Sequence, residues 1–326
     1  MSIEVIKPGL LSSLQDAGRH GHASLGLGRA GAMDLPAWRL ANALVGNVHH
    51  EAALEITLAG PTLRFRCDAV IALTGAIVDA RADGEPLPPW TACFLPAGTV
   101  LRMGGMRHGC RSYLAVRGGF DVAPVLGSRS TDLHARVGPL EGRGLQAGDE
   151  LPMATTDAAP WIRSRTLHAL RWGLDPQPWL DDAKAPLALL RGHHHEAMDE
   201  ASQRALFSQR FMLSKDSNRT GARLDGSPLA LRQPLELISE ATVPGTVQLP
   251  PSGQPIALLA EAPVTGGYPR IGQVAAVDLP RLAQRRPGDT VSFREVTFDE
   301  AMDRLDAREE ALQRLLRRIA QRLESA

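Results

Sequence analysis

ALEITLAGPTLRFRCDAVIALTGAIVDARADGEPLPPWTACFLPAGTVLRMGGMRHGCRSYLAV (53–116) is a succession of short apolar runs broken by glycine and proline. Leu54–Leu58, Leu63–Phe65, Val70–Leu73, Ala92–Leu95, Val100–Met103 and Tyr113–Val116 are the runs. Runs this short, repeating about every ten residues with turn signals between them, predict a β-barrel or sandwich and not alternating βαβ units. The pattern continues to about Pro152, where GLQAGDELP (144–152) ends it.

Working outward, Ile3–Ile6 reads as a short strand stopped by Pro8-Gly9. LSSLQDAGRHGHASLGLGRAGAMD (11–34) follows as a long glycine-rich loop without hydrophobic period. Loops of that length in compact domains are functional or disordered, and Gln15, Asp16, Arg19 and Asp34 favour function. Asp34 is placed to N-cap a helix, with Pro36 in its first turn, Leu35, Trp38, Leu40, Ala41, Leu44 and Val45 as its apolar positions and Gly46 as its stop.

On the other side, Met153–Ser164 reads as a linker. A second strand-rich lobe then carries Leu187–Leu190, Phe211–Leu213, Leu235–Ile238, Thr246–Leu249, Ile256–Ala260, Val274–Val277 and Val291–Val296, with one helix over Glu196–Gln209. Within it, EAPVTGGYPRIGQVAAVD (261–278) reads as a tight turn between two buried strands. The paired glycines allow positive φ and Pro269 sets the exit. AGDEL (147–151) and PGDTV (287–291) fall near the ends of the two lobes, and GRAGAMD (28–34) faintly matches NRTGARLDG (218–226), as a duplication would leave. Thr297-Phe298-Asp299-Glu300 is a capping box. Phe298, Met302, Leu305, Leu312, Leu315, Leu316, Ile319 and Leu323 then form one face of a terminal packing helix. The expected architecture is mainly β with some helix: lobes over 1–160 and 161–296 and a helix over 297–326.

Composition narrows the function classes. At 326 residues the chain suits two domains of roughly 150 residues. Its formal net charge is zero, which argues against a dedicated nucleic-acid binder. Cys67, Cys93 and Cys110 lack CxxC spacing and are odd in number, so neither a disulfide framework nor a zinc knuckle is expected. No signal-like core opens the chain, and no apolar run reaches the ~18 residues of a membrane span. A cytoplasmic protein is the expectation, with no membrane and no nucleic-acid partner.

Four motifs drop out. GLGRAG (26–31) fits GxGxxG, but RHGHAS precedes it where a dinucleotide site needs a hydrophobic strand. GxxxxGK[ST], GxSxG and HExxH are absent. His193-His194-His195 follows an apparent strand; alternation would let only His193 and His195 share a metal, with no third ligand identifiable. No metal site is expected there. Arg219 and Arg223 sit in a glycine-containing turn suited to carboxylate or phosphate.

IKPGLLSSLQDAGRHGHASLGLGRAGAMD (6–34), LANALVGN (40–47), LEITLAGPTLRF (54–65), YLAVRGGFDVAPVLGSRSTDL (113–133), PGTVQLPPSGQPI (244–256), VTGGYPRIGQV (264–274) and LAQRRPGDTVSF (282–293) together resemble the KipA-like family, in order and over nearly the whole chain. That family is also called allophanate hydrolase subunit 2, biotin-dependent carboxyltransferase-like protein or the C subunit of 5-oxoprolinase. The resemblance implies two lobes built on cyclophilin-like β-barrels and a KipI-like partner subunit. In one branch a LamB/YcsF-type subunit joins the pair, and 5-oxo-L-proline is opened to L-glutamate with ATP. In another, carboxyl passes from carboxybiotin, carried on another protein, to urea. In a third, the chain is a non-catalytic regulator that binds a KipI-like kinase inhibitor.

Carried onto this sequence, the family's motifs fall on Gln15, Asp16, Gly18 and Arg19, on Gly31–Asp34, and on Thr265, Gly266, Gly267, Tyr268 and Pro269. The implied chemistry activates an amide carbonyl and stabilises its oxyanion. Asp16, Asp34 and Glu261 are the acid–base or orienting candidates. Tyr268 and the Gly266–Gly267 amides line the oxyanion position. Arg19, Arg219, Arg223 and Arg270 bind phosphate or carboxylate, and Gln15, Gln248 and Thr265 complete the substrate-binding set. Three departures lie at the expected mouth of the site. Glu261-Ala262-Pro263-Val264 replaces an Asp-Arg-Gln-Thr-like sequence, Thr220 and Ala222 replace a methionine and an often aromatic residue, and His193–His195 replaces a Gly-Pro-Gln-like slot. The substrate is therefore left open among lactams and amides.

Overall fold

The structure is a computed structural model describing residues 1–47, 51–154, 159, 161–162, 166–180, 185–235 and 237–325. Much of the expected linker (155–158, 160 and 163–164) lies outside the described residues. The chain is mainly β and divides into two compact units. One comprises Met1–Arg19, Asp34–Leu180 and Ala311–Ala326; the other comprises His20–Met33 and Asp181–Glu310. The glycine-rich loop thus begins in the first unit, crosses to the contacts of the second, and returns at Asp34.

The first unit is built on two long strands, Ala69–Ala82 and Val100–Val116, paired antiparallel from Ile71↔Val116 to Ala82↔Leu101. The expected runs Val100–Met103 and Tyr113–Val116 are the two ends of one strand, continuous through Gly104 and Gly105. One end pairs with Thr62–Phe65 and the other with Ala53–Thr57. Register shifts between Gly75 and Ala80 bend the pair, as bulges do, so the ten-stranded sheet curls into a nearly closed barrel. Alternate residues fill it: Ile3 and Val5, Leu54 and Ile56, Leu63 and Phe65 are fully buried. Leu11–Gln15, read from sequence as loop, is a strand against Ala53–Thr57.

Helix Leu35–Leu44 forms as its sequence predicts, with the Asp34 carboxylate accepting from the Ala37 amide at 3.0 Å. Its Leu40 packs with Trp90 against Leu312 and Ile319 of the terminal helix, Phe298–Glu324. The capping box is present in both directions: Thr297 N–H donates to Glu300 Oε2 (2.9 Å) and Glu300 N–H to Thr297 Oγ1 (3.2 Å). Among the described residues no helix is long and apolar enough to cross a membrane.

The second unit holds an eight-stranded sheet. Its order is Thr290–Val291, Phe211–Leu213, Gly221–Asp225, Ile256–Leu258, Thr246–Gln248, Arg270–Val274, Leu187–Arg191 and Phe293–Glu295. Only the last pairing is parallel. Met33 joins its core, among Leu187, Phe211, Val247 and Ile271.

Several local expectations are corrected here. Ile256–Leu258 and Arg270–Val274 are not a hairpin, because Thr246–Gln248 lies between them. Residues past Val274 turn into a 3-10 segment, Ala276–Asp278, and a short helix, Leu279–Ala283, started by Pro280. Leu235, Leu237 and Ile238 are not in a strand, and Glu236 is outside the described residues. The expected run Val291–Val296 splits at Ser292 into two strands with different partners. The helix expected from Glu196 begins at Glu200, capped by Asp199, whose carboxylate accepts from the Ser202 amide at 2.6 Å.

The faint internal repeat has a structural counterpart. Gly148 (φ 90°) and Gly288 (φ 89°) occupy the same left-handed position of equivalent turns. Gly148 N–H donates to Val5 O and Val5 N–H to Asp149 O, both at 2.8 Å; Gly288 N–H donates to Leu213 O and Leu213 N–H to Asp289 O, both at 2.8 Å. In each turn the aspartate carboxylate accepts at 2.7 Å from an amide three residues back, Gln146 or Arg286. Each unit therefore ties a late aspartate turn to one of its early strands.

Candidate functional site

In the first unit, Leu11–Gln15 delivers Gln15 and Asp16 into the barrel wall, where neither is solvent-exposed. The Asp16 carboxylate accepts four hydrogen bonds: from Ser128 Oγ (2.6 Å), Ser130 Oγ (2.6 Å), Arg129 N–H (2.6 Å) and Gly18 N–H (2.8 Å). Arg19 is equally buried and donates to the carbonyls of Ser130 (2.8 Å) and Val125 (3.2 Å). Gln15 donates through Nε2 to Ser13 Oγ and Thr131 O, both at 2.9 Å, and its Oε1 is buried with no hydrogen-bond partner. The three residues fasten the loop 121–132. Ser128 and Ser130 were missed as members of this group, although they stand in the quoted segment GSRST (127–131). Their only local signal was two hydroxyls at i, i+2, which is common.

Asp34 caps its helix with its carboxylate, and its backbone N–H donates to Tyr113 Oη at 2.8 Å. The Tyr113 hydroxyl in turn donates to Glu55 Oε2 at 2.7 Å. Tyr113 and Glu55 are direct cross-strand partners and so share one face, opposite to that of Leu54 and Ile56, and both are buried there. Burial, then the Glu55 and Asp34 carboxylates, push the Tyr113 phenol well above its ordinary pKa. It stays a neutral donor at any working pH.

In the second unit, Arg219 and Glu261 meet as a buried pair, Nε to Oε1 at 2.6 Å, with side chains 2% and 3% exposed. Arg219 Nη2 also donates to the Gly31 carbonyl at 2.7 Å, and Glu261 N–H to Arg219 O at 2.9 Å. The pair holds the glycine-rich loop from within. Arg223 points into solvent on the outer face of Gly221–Asp225.

Gln248 is 5% exposed and its Nε2 has no hydrogen-bond partner. It abuts Gly266: a Cβ there would collide with Nε2. Glycine at 266 thus serves close approach; neither Gly266 nor Gly267 has positive φ, contrary to the turn reading. Instead Thr265–Gly266 pairs with Glu240–Ala241 in a two-stranded ribbon. Arg270 is bound to the Glu240 carboxylate and donates to the Ala241 carbonyl at 3.2 Å. Tyr268 is half exposed beside the ribbon. An orphaned buried donor in a polar wall is costly unless something accepts from it. That makes Gln248, with Gly266 and Thr265, a candidate ligand-binding group.

The three histidines are not a strand. Gly192, packed against the backbone of Arg270–Gly272, ends it, and His193–His195 turn into a 3-10 segment. His194 Nδ1 accepts from Arg270 N–H at 3.1 Å, and burial, then His193 and Arg270, lower its pKa. His195 is buried on Phe207. Among the described residues no three His, Cys, Asp or Glu cluster as metal ligands would.

The carboxyltransferase domain family, subdomains A and B, matches residues 25–295. The chain is 41% identical over 323 residues to the C subunit of 5-oxoprolinase from Escherichia coli (strain K12), covering 98% of each. It is 39% identical over 301 residues to the corresponding 5-oxoprolinase chain of Haemophilus influenzae, covering 92% of this chain and 93% of that one. Among solved structures, the urea carboxylase of Kluyveromyces lactis superposes with a TM-score of 0.84 at 29% identity, over 95% of this chain and 29% of that one. A match this long, on a barrel fold with the same sequence order, places the protein: it belongs to the carboxyltransferase domain family, subdomains A and B.

Proposed function

We propose that this chain is a subunit of an ATP-dependent, 5-oxoprolinase-type amidohydrolase. With a KipI-like and a LamB/YcsF-type subunit it opens 5-oxo-L-proline, or a related lactam or amide, to L-glutamate or the matching open-chain acid. The observation that carries this reading is the end-to-end likeness to the Escherichia coli subunit, 98% of each chain. That likeness runs through both units of the fold.

Ring opening adds one water across the C–N bond: oxygen to the carbonyl carbon, a proton to the nitrogen. Negative charge gathers on the carbonyl oxygen as the water adds, and a fixed donor there lowers the barrier. Gln248 Nε2 is the donor this chain offers, held against Gly266 by packing and left without another acceptor. Asp16, Asp34 and Glu261 each hold backbone amides or a guanidinium in place, and act as positioning residues. Proton transfer is assigned to groups brought by the partner subunits.

ATP, leaving as ADP and phosphate, would supply the driving force for opening the amide. The residues here do not fit its phosphates. Arg219 is taken by Glu261 and the Gly31 carbonyl, Arg270 by Glu240 and the Ala241 carbonyl, and Arg19 by two further carbonyls. The nucleotide is therefore assigned to a partner subunit. A second reading, carboxyl transfer from carboxybiotin on another protein to urea or a similar amide, is favoured by the likeness to urea carboxylase. The same oxyanion donor would serve it.

The test is reconstitution. The chain mixed with its KipI-like and LamB/YcsF-type neighbours should release glutamate from 5-oxoproline only when ATP and all three proteins are present. In that mixture Gln248→Leu should lower kcat by about 100-fold or more, the loss typical of one oxyanion donor, with KM little changed. Turnover within about twofold of the parent would remove Gln248 from the site. Turnover of urea with carboxybiotin, and none of 5-oxoproline, would replace the first reading with the second.

A further inference from the structure

A cavity of about 730 Å³ in the second unit is lined from strand Leu187–Arg191, the 3-10 segment His195–Ala197 and helix Glu200–Ser208. That is the size of a small-molecule site. Gln248 is not among its lining residues. His195 stands in its wall, 1% exposed, with its ring on Phe207, which lines the cavity too. His195 Nδ1 lies 3.3 Å from Glu196 Oε1. A carboxylate only accepts, so Nδ1 carries the proton and Nε2 of the neutral ring is a bare lone pair. Nε2 is buried and has no hydrogen-bond partner. A buried acceptor in that condition is costly until a donor reaches it.

Three arginines and three glutamates line the same cavity. Arg191 is committed: its Nε meets Glu295 Oε1 at 2.7 Å and its Nη1 meets Glu196 Oε1 at 3.0 Å. Arg204 meets Glu200 only at 3.8 Å, with both side chains largely exposed. Exposed pairs of that kind are weak, so Arg204 is free to turn to another anion. The Arg232 guanidinium has no partner among the described residues. Its main chain is nevertheless fixed, since Arg232 N–H donates to Ala197 O at 2.9 Å and Leu231 bridges Met198. The cavity therefore offers two guanidiniums and one imidazole lone pair. Their complement is a small molecule with two carboxylates and one N–H donor. A dicarboxylate without nitrogen would satisfy the arginines and leave Nε2 stranded.

We propose that this cavity is a binding site for an acidic α-amino acid, with its carboxylates on Arg232 and Arg204 and its ammonium on His195 Nε2. The site is separate from Gln248, and its occupancy is read on this chain alone, whatever reaction the chain serves. L-Glutamate, the product named above, is of this class, so the same chain would sense what its complex releases.

The experiment is calorimetric titration of the full chain with L-glutamate and, separately, with glutarate, which lacks the ammonium. The parent should bind L-glutamate with a Kd of ~1 mM or tighter and glutarate at least ~10-fold more weakly. Arg232→Gln alters an exposed side chain, so its melting temperature should match the parent's while its Kd for L-glutamate rises at least ~10-fold. His195→Phe keeps a ring against Phe207 and removes the acceptor; it should erase the preference for L-glutamate over glutarate. Gln248→Leu should bind L-glutamate as the parent does. No binding by the parent, equal binding of glutarate, or parent-like affinity in Arg232→Gln would each overturn the proposal. Affinity lost in Gln248→Leu and kept in Arg232→Gln would put the ligand at the oxyanion donor, which overturns this site and supports the proposed function. A reconstituted complex that fails to turn over 5-oxoproline would sink that function and leave the titration result standing.

Discussion

Glu261→Ala is expected to destabilise the second unit by about 3–5 kcal/mol, the usual cost of stranding one partner of a buried ion pair. Arg219 would remain in the interior without that carboxylate, and its hold on the Gly31 carbonyl would loosen with it. Glu261→Gln keeps an acceptor for Nε and should cost less. The choice of probe separates local from global effects. All five tryptophans lie between residues 38 and 179, in the first unit. Far-ultraviolet circular dichroism should therefore register the loss at lower urea than tryptophan fluorescence does. Coincident, unshifted transitions would mean that Arg219 finds another partner.

Asp16→Ala should have the mirror effect. Four donors converge on that carboxylate, and removing it leaves two serine hydroxyls and two backbone N–H groups without their acceptor inside the wall. At about 1 kcal/mol or more for each, the first unit should lose about 3–5 kcal/mol, with tryptophan fluorescence now the leading probe. Proteolysis should become fastest within 121–132, the loop that Asp16 fastens. A variant as stable as the parent would show that water replaces the carboxylate. Asp16→Asn, which can still accept but no longer carries charge, should fall between the two.

What could be read in the sequence was whatever depends on near neighbours. The alternation of Leu63 and Phe65, the Asp34 cap and the Thr297–Glu300 box are set by residues within a few positions, and each is in the structure. The family resemblance likewise rests on linear motifs. Reading faltered where distant strands decide. Ile256–Leu258 and Arg270–Val274 look like a hairpin because a tight turn links them, yet Thr246–Gln248 pairs with both. Val274–Val277 is apolar enough for a strand, but Pro280 just beyond begins a helix. His193–His195 follows the apparent strand Leu187–Leu190, and nothing local says where that strand stops. Gly192 ends that strand through a backbone contact no local pattern reveals.

The candidate site shows the same division. Gln248, Thr265 and Gly266 were nameable from motifs, but not that a glycine is needed at 266 to admit the Gln248 amide. Arg19, Arg219 and Arg270 read as anion binders because arginine suits anions. Each is instead occupied by carbonyls or a glutamate, which depends on partners up to 188 positions away. The Tyr113–Glu55 pair was missed because a glutamate in a strand reads as surface until its cross-strand neighbour is known.

The way the two units divide the sequence bears on how the protein is made. The first unit's terminal segment, Ala311–Ala326, covers Leu40 and Trp90 with Leu312 and Ile319, and it is translated after the rest of that unit. A nascent chain leaving the ribosome therefore keeps that apolar face wet until this segment has emerged. The second unit waits in the opposite sense, since His20–Met33 is ready long before the sheet that receives Met33 exists. Neither half is a self-sufficient gene product, and cutting the gene between them would give two fragments, each missing a piece that the other carries.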